Sequence, residues 1–134
     1  MINVAKKNLE AGLKFLAENK TKDGVITISN GLQYKVITEG SGDKPTIKDT
    51  VKCHYEGRLI DGTIFDSSYK GKKPLEFPVY GVIGGWIQAL QMMNVGSLWE
   101  LYLPTELAYG RQGAGRDIGP NEALVFKVEL LQIK

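Results

Sequence analysis

The hydrophobic pattern changes period near Thr27, and that change limits the folds open to this chain more than any other feature. Before it, Ala5, Leu9, Leu13 and Leu16 recur at helical spacing, with Lys7, Glu10, Lys14 and Glu18 elsewhere. Residues 3 to 20 therefore read as a helix, with Asn3 as a candidate cap and Asp23-Gly24 as a stop signal. After Thr27, apolar residues alternate with polar ones: Leu32, Tyr34 and Val36, then Val51, Cys53 and Tyr55, then Trp99, Leu101 and Leu103, then Leu124, Phe126, Val128 and Leu130. Period two is the signature of strands. Asp61-Gly62 lies between Leu59-Ile60 and Thr63-Ile64-Phe65, a strong hairpin signal, and Leu75-Glu76-Phe77 reads as a further short strand. One helical pattern interrupts this β-rich region. Gly84-Gly85 opens it, and Trp86, Ala89, Leu90 and Met93 share its inner face. A sheet buried on one face needs a cover. The expected class is α+β: an antiparallel sheet of five to six strands wrapped around one short helix and preceded by an N-terminal helix.

Val4, Ala11 and Phe15 widen the apolar surface of the first helix to a second side. Two readings stand at this point: the helix docks on the domain's own core, or it is the tail of a longer helix whose partners lie outside this stretch.

Composition removes several function classes. With 134 residues, 43% hydrophobic and 24% charged, one soluble globular domain is expected. A formal net charge of +2 is too small to argue for nucleic acid or an anionic membrane. A single cysteine, Cys53, excludes an internal disulfide and a multi-thiolate metal site. Cys53 alternates with Val51 and Tyr55 and reads as buried and inert, with the single histidine, His54, pointing the other way. No metal or cofactor is implied. No run approaches the ~20 apolar residues of a membrane span, and Lys6-Lys7 leads into Asn8 and Glu10, not into the apolar core of a signal peptide. The loop Gly113 to Gly119 looks like a dinucleotide fingerprint, but its glycines are misspaced and it precedes a strand.

What remains is a set of aromatic and aliphatic residues, each at the end of a short strand-like run or beside a turn signal: Tyr55, Phe65 with Asp66, Phe77, Val82-Ile83 followed by Trp86, Tyr109 with Gly110, and Phe126. They share one place only if the strands bring them together. The product is an apolar cup with very few polar groups, suited to a ligand that must lose water.

These residues carry a resemblance. His54-Tyr55-Glu56-Gly57, Asp61-Gly62-Thr63-Ile64-Phe65-Asp66-Ser67-Ser68, Val82-Ile83-Gly84-Gly85-Trp86, Leu107-Ala108-Tyr109-Gly110 and Leu124-Val125-Phe126-Lys127-Val128-Glu129-Leu130-Leu131 resemble the FKBP-type peptidyl-prolyl cis-trans isomerases over about residues 31 to 134. Gly12 to Asn19, Gly31 to Ile37 and Ile118-Gly119-Pro120-Asn121-Glu122 are similar to the bacterial macrophage infectivity potentiator (Mip) subfamily. The resemblance implies an isomerase of X-Pro bonds that needs no cofactor, with a pocket lined by Tyr55, Phe65, Asp66, Phe77, Val82, Ile83, Trp86, Tyr109, Ile118 and Phe126. Trp86 is the implied floor, Asp66 and Tyr109 the implied catalytic polar groups, and Tyr55 the residue that holds Asp66. Implied partners are proline-containing polypeptides and macrolides of the tacrolimus and rapamycin type. Leu75, Ala114, Gly84 and Gly119 depart from the family pattern, and Leu75 and Ala114 bear on macrolide affinity. The resemblance further implies that residues 1–24 are the end of a connector helix, that 25–134 form the isomerase domain, and that a homodimer forms through a region preceding this chain. It also implies bacterial export to the periplasm or cell surface, with the cytoplasm as the alternative. The competing function is a proline-peptide, macrolide or client-binding module without useful turnover.

Overall fold

The computed structural model describes residues 3–134; Met1 and Ile2, the start of the expected unit 1–24, lie outside them. Helix α1 spans Val4–Asn19, and the Asn3 side chain caps it by accepting from the Lys6 N–H at 3.1 Å. Seven strands follow: β1 (Val25–Thr27), β2 (Gln33–Thr38), β3 (Thr50–Leu59), β4 (Ile64–Ser67), β5 (Leu75–Pro78), β6 (Leu98–Leu103) and β7 (Leu124–Ile133). Helix α2, Gly84–Met92, lies between β5 and β6. The strands form one antiparallel sheet in the order β1-β2-β6-β7-β3-β4, with β5 also pairing to β3. The sheet thus has one strand more than the upper expectation, because the three-residue β1 is too short to show a period of its own.

The main core fills the side of the sheet that faces α2. Trp86, Ala89, Leu90 and Met93 are all buried there, as the spacing of the short helix predicts. Val51, Cys53 and Tyr55 of β3, Trp99, Leu101 and Leu103 of β6, and Leu124, Phe126, Val128 and Leu130 of β7 complete it. Alternation along each strand sets which residues enter this layer.

The opposite face is also covered, by α1. Leu16 packs with Tyr102, Ala123 and Val125 in a second cluster, and the Phe15 and Tyr102 ring centroids are 6.3 Å apart. Of the two readings for the first helix, docking on the domain's own core is thus met. One expectation is corrected: Leu13, placed by spacing on the buried stripe, is 54% exposed. The physical reason is that amide side chains set the rotation of α1. The Gln33 amide donates to the Leu16 carbonyl at 2.9 Å, and the Asn19 amide donates to Gln33 Oε1 at 2.8 Å. At the other end of the helix, the Asn8 amide donates to the Pro120 carbonyl at 3.0 Å. Gly12 permits the approach, since a Cβ there would sit 3.0 Å from that of Ala123. A hydrophobicity pattern does not register a buried face made partly of Asn and Gly.

Along one edge, β3 changes partner. Its first residues pair with β5, from Thr50↔Pro78 to Cys53↔Leu75, and its later ones with β4, from Glu56↔Ser67 to Arg58↔Ile64. The β3–β4 register shifts between Gly57, opposite Asp66, and Arg58, opposite Ile64. Phe65 is the extra residue of this bulge. The Asp61-Gly62 turn closes the hairpin as expected, with the Gly62 N–H donating to the Leu59 carbonyl at 3.0 Å and the Thr63 N–H to Asp61 Oδ1 at 2.9 Å.

Candidate active site

One cavity of about 450 Å³ opens beside the N-terminal turn of α2. Tyr55 of β3, Phe65 and Asp66 of β4, Phe77 of β5, Trp86 of α2, Phe126 of β7, and Val82, Ile83 and Tyr109 from connecting segments all line it. Nine of the ten expected site residues are brought together. The tenth, Ile118, does not line the cavity. It is 5% exposed, packs into the main core, and forms an isolated bridge with Ala114 that folds the Gly-rich loop back on itself. Gly81 lines the cavity in its place, a position that no sequence signal marks.

Consecutive strand residues normally point to opposite faces, yet Phe65 and Asp66 both reach this cavity. The bulge at Phe65 resolves the conflict, because an inserted residue re-aims a side chain. Gly57, on the facing strand, makes room. A Cβ at that position would lie 2.5 Å from Phe65 Cζ and 2.8 Å from Phe126 Cε1.

The rings pack edge to face. The Trp86 centroid lies 5.4 Å from Tyr55, 5.6 Å from Phe77 and 5.4 Å from Phe126, at interplanar angles of 81°, 75° and 87°. Phe65 meets Phe126 at 5.7 Å and 89°. Such T-shaped pairs are favoured by the ring quadrupoles, and each ring here is held by another. The wall is therefore stiff and apolar, and Trp86, 4% exposed, forms its base without being sealed off from the opening.

Few polar atoms enter this space. The Tyr55 hydroxyl donates to Asp66 Oδ2. Burial, and then this bond to the carboxylate, push the Tyr55 phenol well above the usual tyrosine range, so it remains a donor across the physiological range. The Tyr109 side chain, 39% exposed, stands at the rim. Ile83 is the extended N-cap residue of α2, and the helix presents the positive end of its dipole there. Cys53 does not line the cavity; burial pushes its thiol up to about 12. Among the described residues no three His, Cys, Asp or Glu side chains are grouped to hold a metal ion, and no helix is long and apolar enough to cross a membrane.

Comparison with known proteins agrees with this geometry. The profile of the family described as FKBP-type peptidyl-prolyl cis-trans isomerase matches residues 41–131, and that of a domain amino terminal to FKBP-type peptidyl-prolyl isomerase matches residues 2–36. The chain is 56% identical over 127 residues to the peptidyl-prolyl cis-trans isomerase Mip of Coxiella burnetii, covering 95% of this chain and 55% of that protein. It is 50% identical over 130 residues to the outer membrane protein MIP of Legionella longbeachae, covering 97% of this chain and 56% of that protein. The crystal structure of FkpA from Escherichia coli superposes with a TM-score of 0.93 at 43% identity, covering 97% of this chain and 61% of that one. The chain thus spans little more than half the length of these curated relatives.

Proposed function

This chain belongs to the FKBP-type peptidyl-prolyl cis-trans isomerase family, and on that footing we propose that it accelerates rotation about X-Pro peptide bonds in the aromatic cavity. The observation that carries this reading is the cavity's composition: Tyr55, Phe77 and Phe126 braced edge to face on Trp86, Phe65 on Phe126, and one carboxylate, Asp66, held by a phenol.

Rotation about the prolyl amide is opposed by a barrier of ~18–20 kcal/mol. A rate gain of about four decades needs only ~5.5 kcal/mol, which is within reach of solvation and shape alone. The planar amide is more polar than the twisted one, and water stabilises the planar form. Transfer into a ring-lined space removes that water, while the stiff walls fit the twisted bond better than the planar one. In this proposal Trp86, Tyr55 and Phe126 grip the proline ring. The Tyr109 hydroxyl and the Ile83 N–H donate to substrate carbonyls and fix orientation. Asp66 faces the rotating amide, and Tyr55 fixes the carboxylate.

The test is proline-limited refolding of a reporter protein with this chain at substoichiometric concentration. Acceleration is expected, and Asp66→Val or Tyr109→Phe lowers it while leaving the fold intact. Full activity in both variants refutes the assigned roles.

Longer-range aspects follow the same reading. We propose that residues 1–24 end a connector helix and that 25–134 are the isomerase domain. The match of a separate amino-terminal profile and the extra length of the relatives support this. Val4 and Leu13, each 54% exposed on α1, favour a client-binding or dimer-forming surface on the same helix. Export by a bacterium is the proposed location, supported by the name of the Legionella relative. The cavity also suits a macrolide of the tacrolimus type, for which displacement of a proline peptide is the test.

A further inference from the structure

Tyr55 sits where the edge of β3 changes partner, between the Cys53↔Leu75 rung of β5 and the Glu56↔Ser67 rung of β4. Neither neighbouring strand continues opposite it. Both of its backbone groups on that edge are taken by Ser68, just beyond the end of β4. The Ser68 N–H donates to the Tyr55 carbonyl at 2.9 Å, and the Tyr55 N–H donates to Ser68 Oγ at 2.6 Å. A side-chain oxygen thus supplies the rung that the ladder lacks. Ser68 is 5% exposed, so water does not replace it.

The same Oγ lies 2.9 Å from His54 Nδ1 and 3.2 Å from the Tyr55 carbonyl. A hydroxyl has one proton. It goes either to the imidazole or to the carbonyl, and the tautomer of His54 decides which. His54 belongs to the face of β3 opposite Tyr55. Its ring stacks on Tyr69 at 4.7 Å, and the Tyr69 hydroxyl donates to Glu129 Oε1 at 3.2 Å. A polar chain therefore runs from the outer face of the sheet, through His54 and Ser68, to the backbone of the residue whose phenol holds Asp66. Ser68 is also two residues past Asp66, so it fixes the end of the short strand that carries the carboxylate.

We propose that Ser68, oriented by His54, is a positioning residue for the Tyr55–Asp66 pair; its effect on catalysis rests on the isomerase reading above. The role is to hold the carboxylate at its working place, not to touch substrate.

The test measures kcat and KM by peptide exchange for Ser68→Ala and His54→Phe, alone and combined with Asp66→Asn, together with the Asp66 carboxyl carbon resonance. Phenylalanine at 54 keeps the ring on Tyr69 and lacks Nδ1. The expected loss in kcat is roughly tenfold for Ser68→Ala, the order of one lost buried hydrogen bond, and about two- to threefold for His54→Phe. KM stays within about twofold. Both losses vanish in the Asp66→Asn background, because groups acting through one partner are non-additive. Ser68→Thr, which keeps the hydroxyl, restores kcat. The carboxyl signal shifts in both single variants. Equal fold losses with and without Asp66, or an unmoved carboxyl signal, overturn the proposal. If Ser68→Ala does not fold, His54→Phe, a change at a partly buried site, decides. A parent chain without isomerase activity sinks the isomerase reading, while the carboxyl signal still decides the positioning role.

Discussion

Replacing Gly57 by alanine tests the packing that shapes the cavity. Gly57 faces inward on β3, directly beneath the edge-to-face pair of Phe65 and Phe126. The added methyl would lie 2.5 Å from Phe65 Cζ, 2.7 Å from Phe65 Cε1 and 2.8 Å from Phe126 Cε1, where ordinary contact begins at 3.4 Å. The rings must retreat by about an ångström, and they are not equally free to do so. Phe126 is 4% exposed and backed by Trp86 at 5.4 Å. Phe65 is only partly buried and belongs to a bulge, so it yields. Overpacking of this kind costs about 1–3 kcal/mol. For a domain of this size each kcal/mol lowers Tm by roughly 3–5 °C. The displaced ring also leaves the cavity wall, and a misplacement of about 1 Å at a site costs on the order of 10²-fold in rate. Urea and thermal melts give the first number, and kcat/KM on a Leu-Pro peptide gives the second. A Gly57→Ala chain with unchanged Tm and unchanged kcat/KM refutes the proposed close packing of the two rings over this glycine.

Other perturbations separate the remaining contributions. Tyr55→Phe removes the donor to Asp66; a hydrogen bond to a charged group contributes about 1.5–3 kcal/mol, so kcat should fall roughly ten- to a hundredfold in the exchange assay, with the melt little changed. Asn19→Ala leaves Gln33 without its buried partner and should destabilise by about 1–3 kcal/mol, seen in urea melts and as faster proteolysis at α1. Alkaline pH should also destabilise the fold. Burial pushes the Cys53 thiol from 9.0 up to about 12, and the Tyr69 phenol from 10.0 up to about 12, its burial raising it more than Glu129 does. The folded chain keeps these protons where the unfolded chain has lost them. The stabilisation is therefore complete below about pH 9 and is lost as pH rises towards 12, by ~1.4 kcal/mol per pH unit for the buried Cys53, while solvent screening leaves Tyr69 a smaller contribution of the same sign. Melts from pH 8 to 11 read this slope, and a flat profile contradicts it. For the same reason a thiol reagent should label Cys53 only at the rate of unfolding.

The apolar alternations of β3, β6 and β7 and the inner face of α2 were legible because each obeys a single period and ends in the main core. The aromatic set was legible as a group because its members lie on those runs or beside the turn signals that separate them. The failures share a different cause. The common reach of Phe65 and Asp66 depends on a bulge, which appears only once β3 and β4 are in register. Ile118 and Gly81 differ in which side of a loop faces the cavity, and no periodicity governs a loop. The docking of α1 is set by Asn8, Asn19 and Gln33, polar residues that a hydrophobic stripe leaves out; hence Leu13 falls on the stripe yet is exposed. Ser68 and His54 sit within recognised motifs, but their link to Tyr55 exists only because two strands share one edge of β3.

Exchange NMR on a short Leu-Pro peptide in large excess over the chain tests the central claim most directly, because it reads the rate of cis-trans interconversion at equilibrium and separates it from binding. The account predicts that the exchange rate rises in proportion to the concentration of the chain and falls when Asp66 is replaced by Asn. Peptide resonances that broaden on binding while the interconversion rate stays at its uncatalysed value would contradict it, and would leave the cavity a binding site alone.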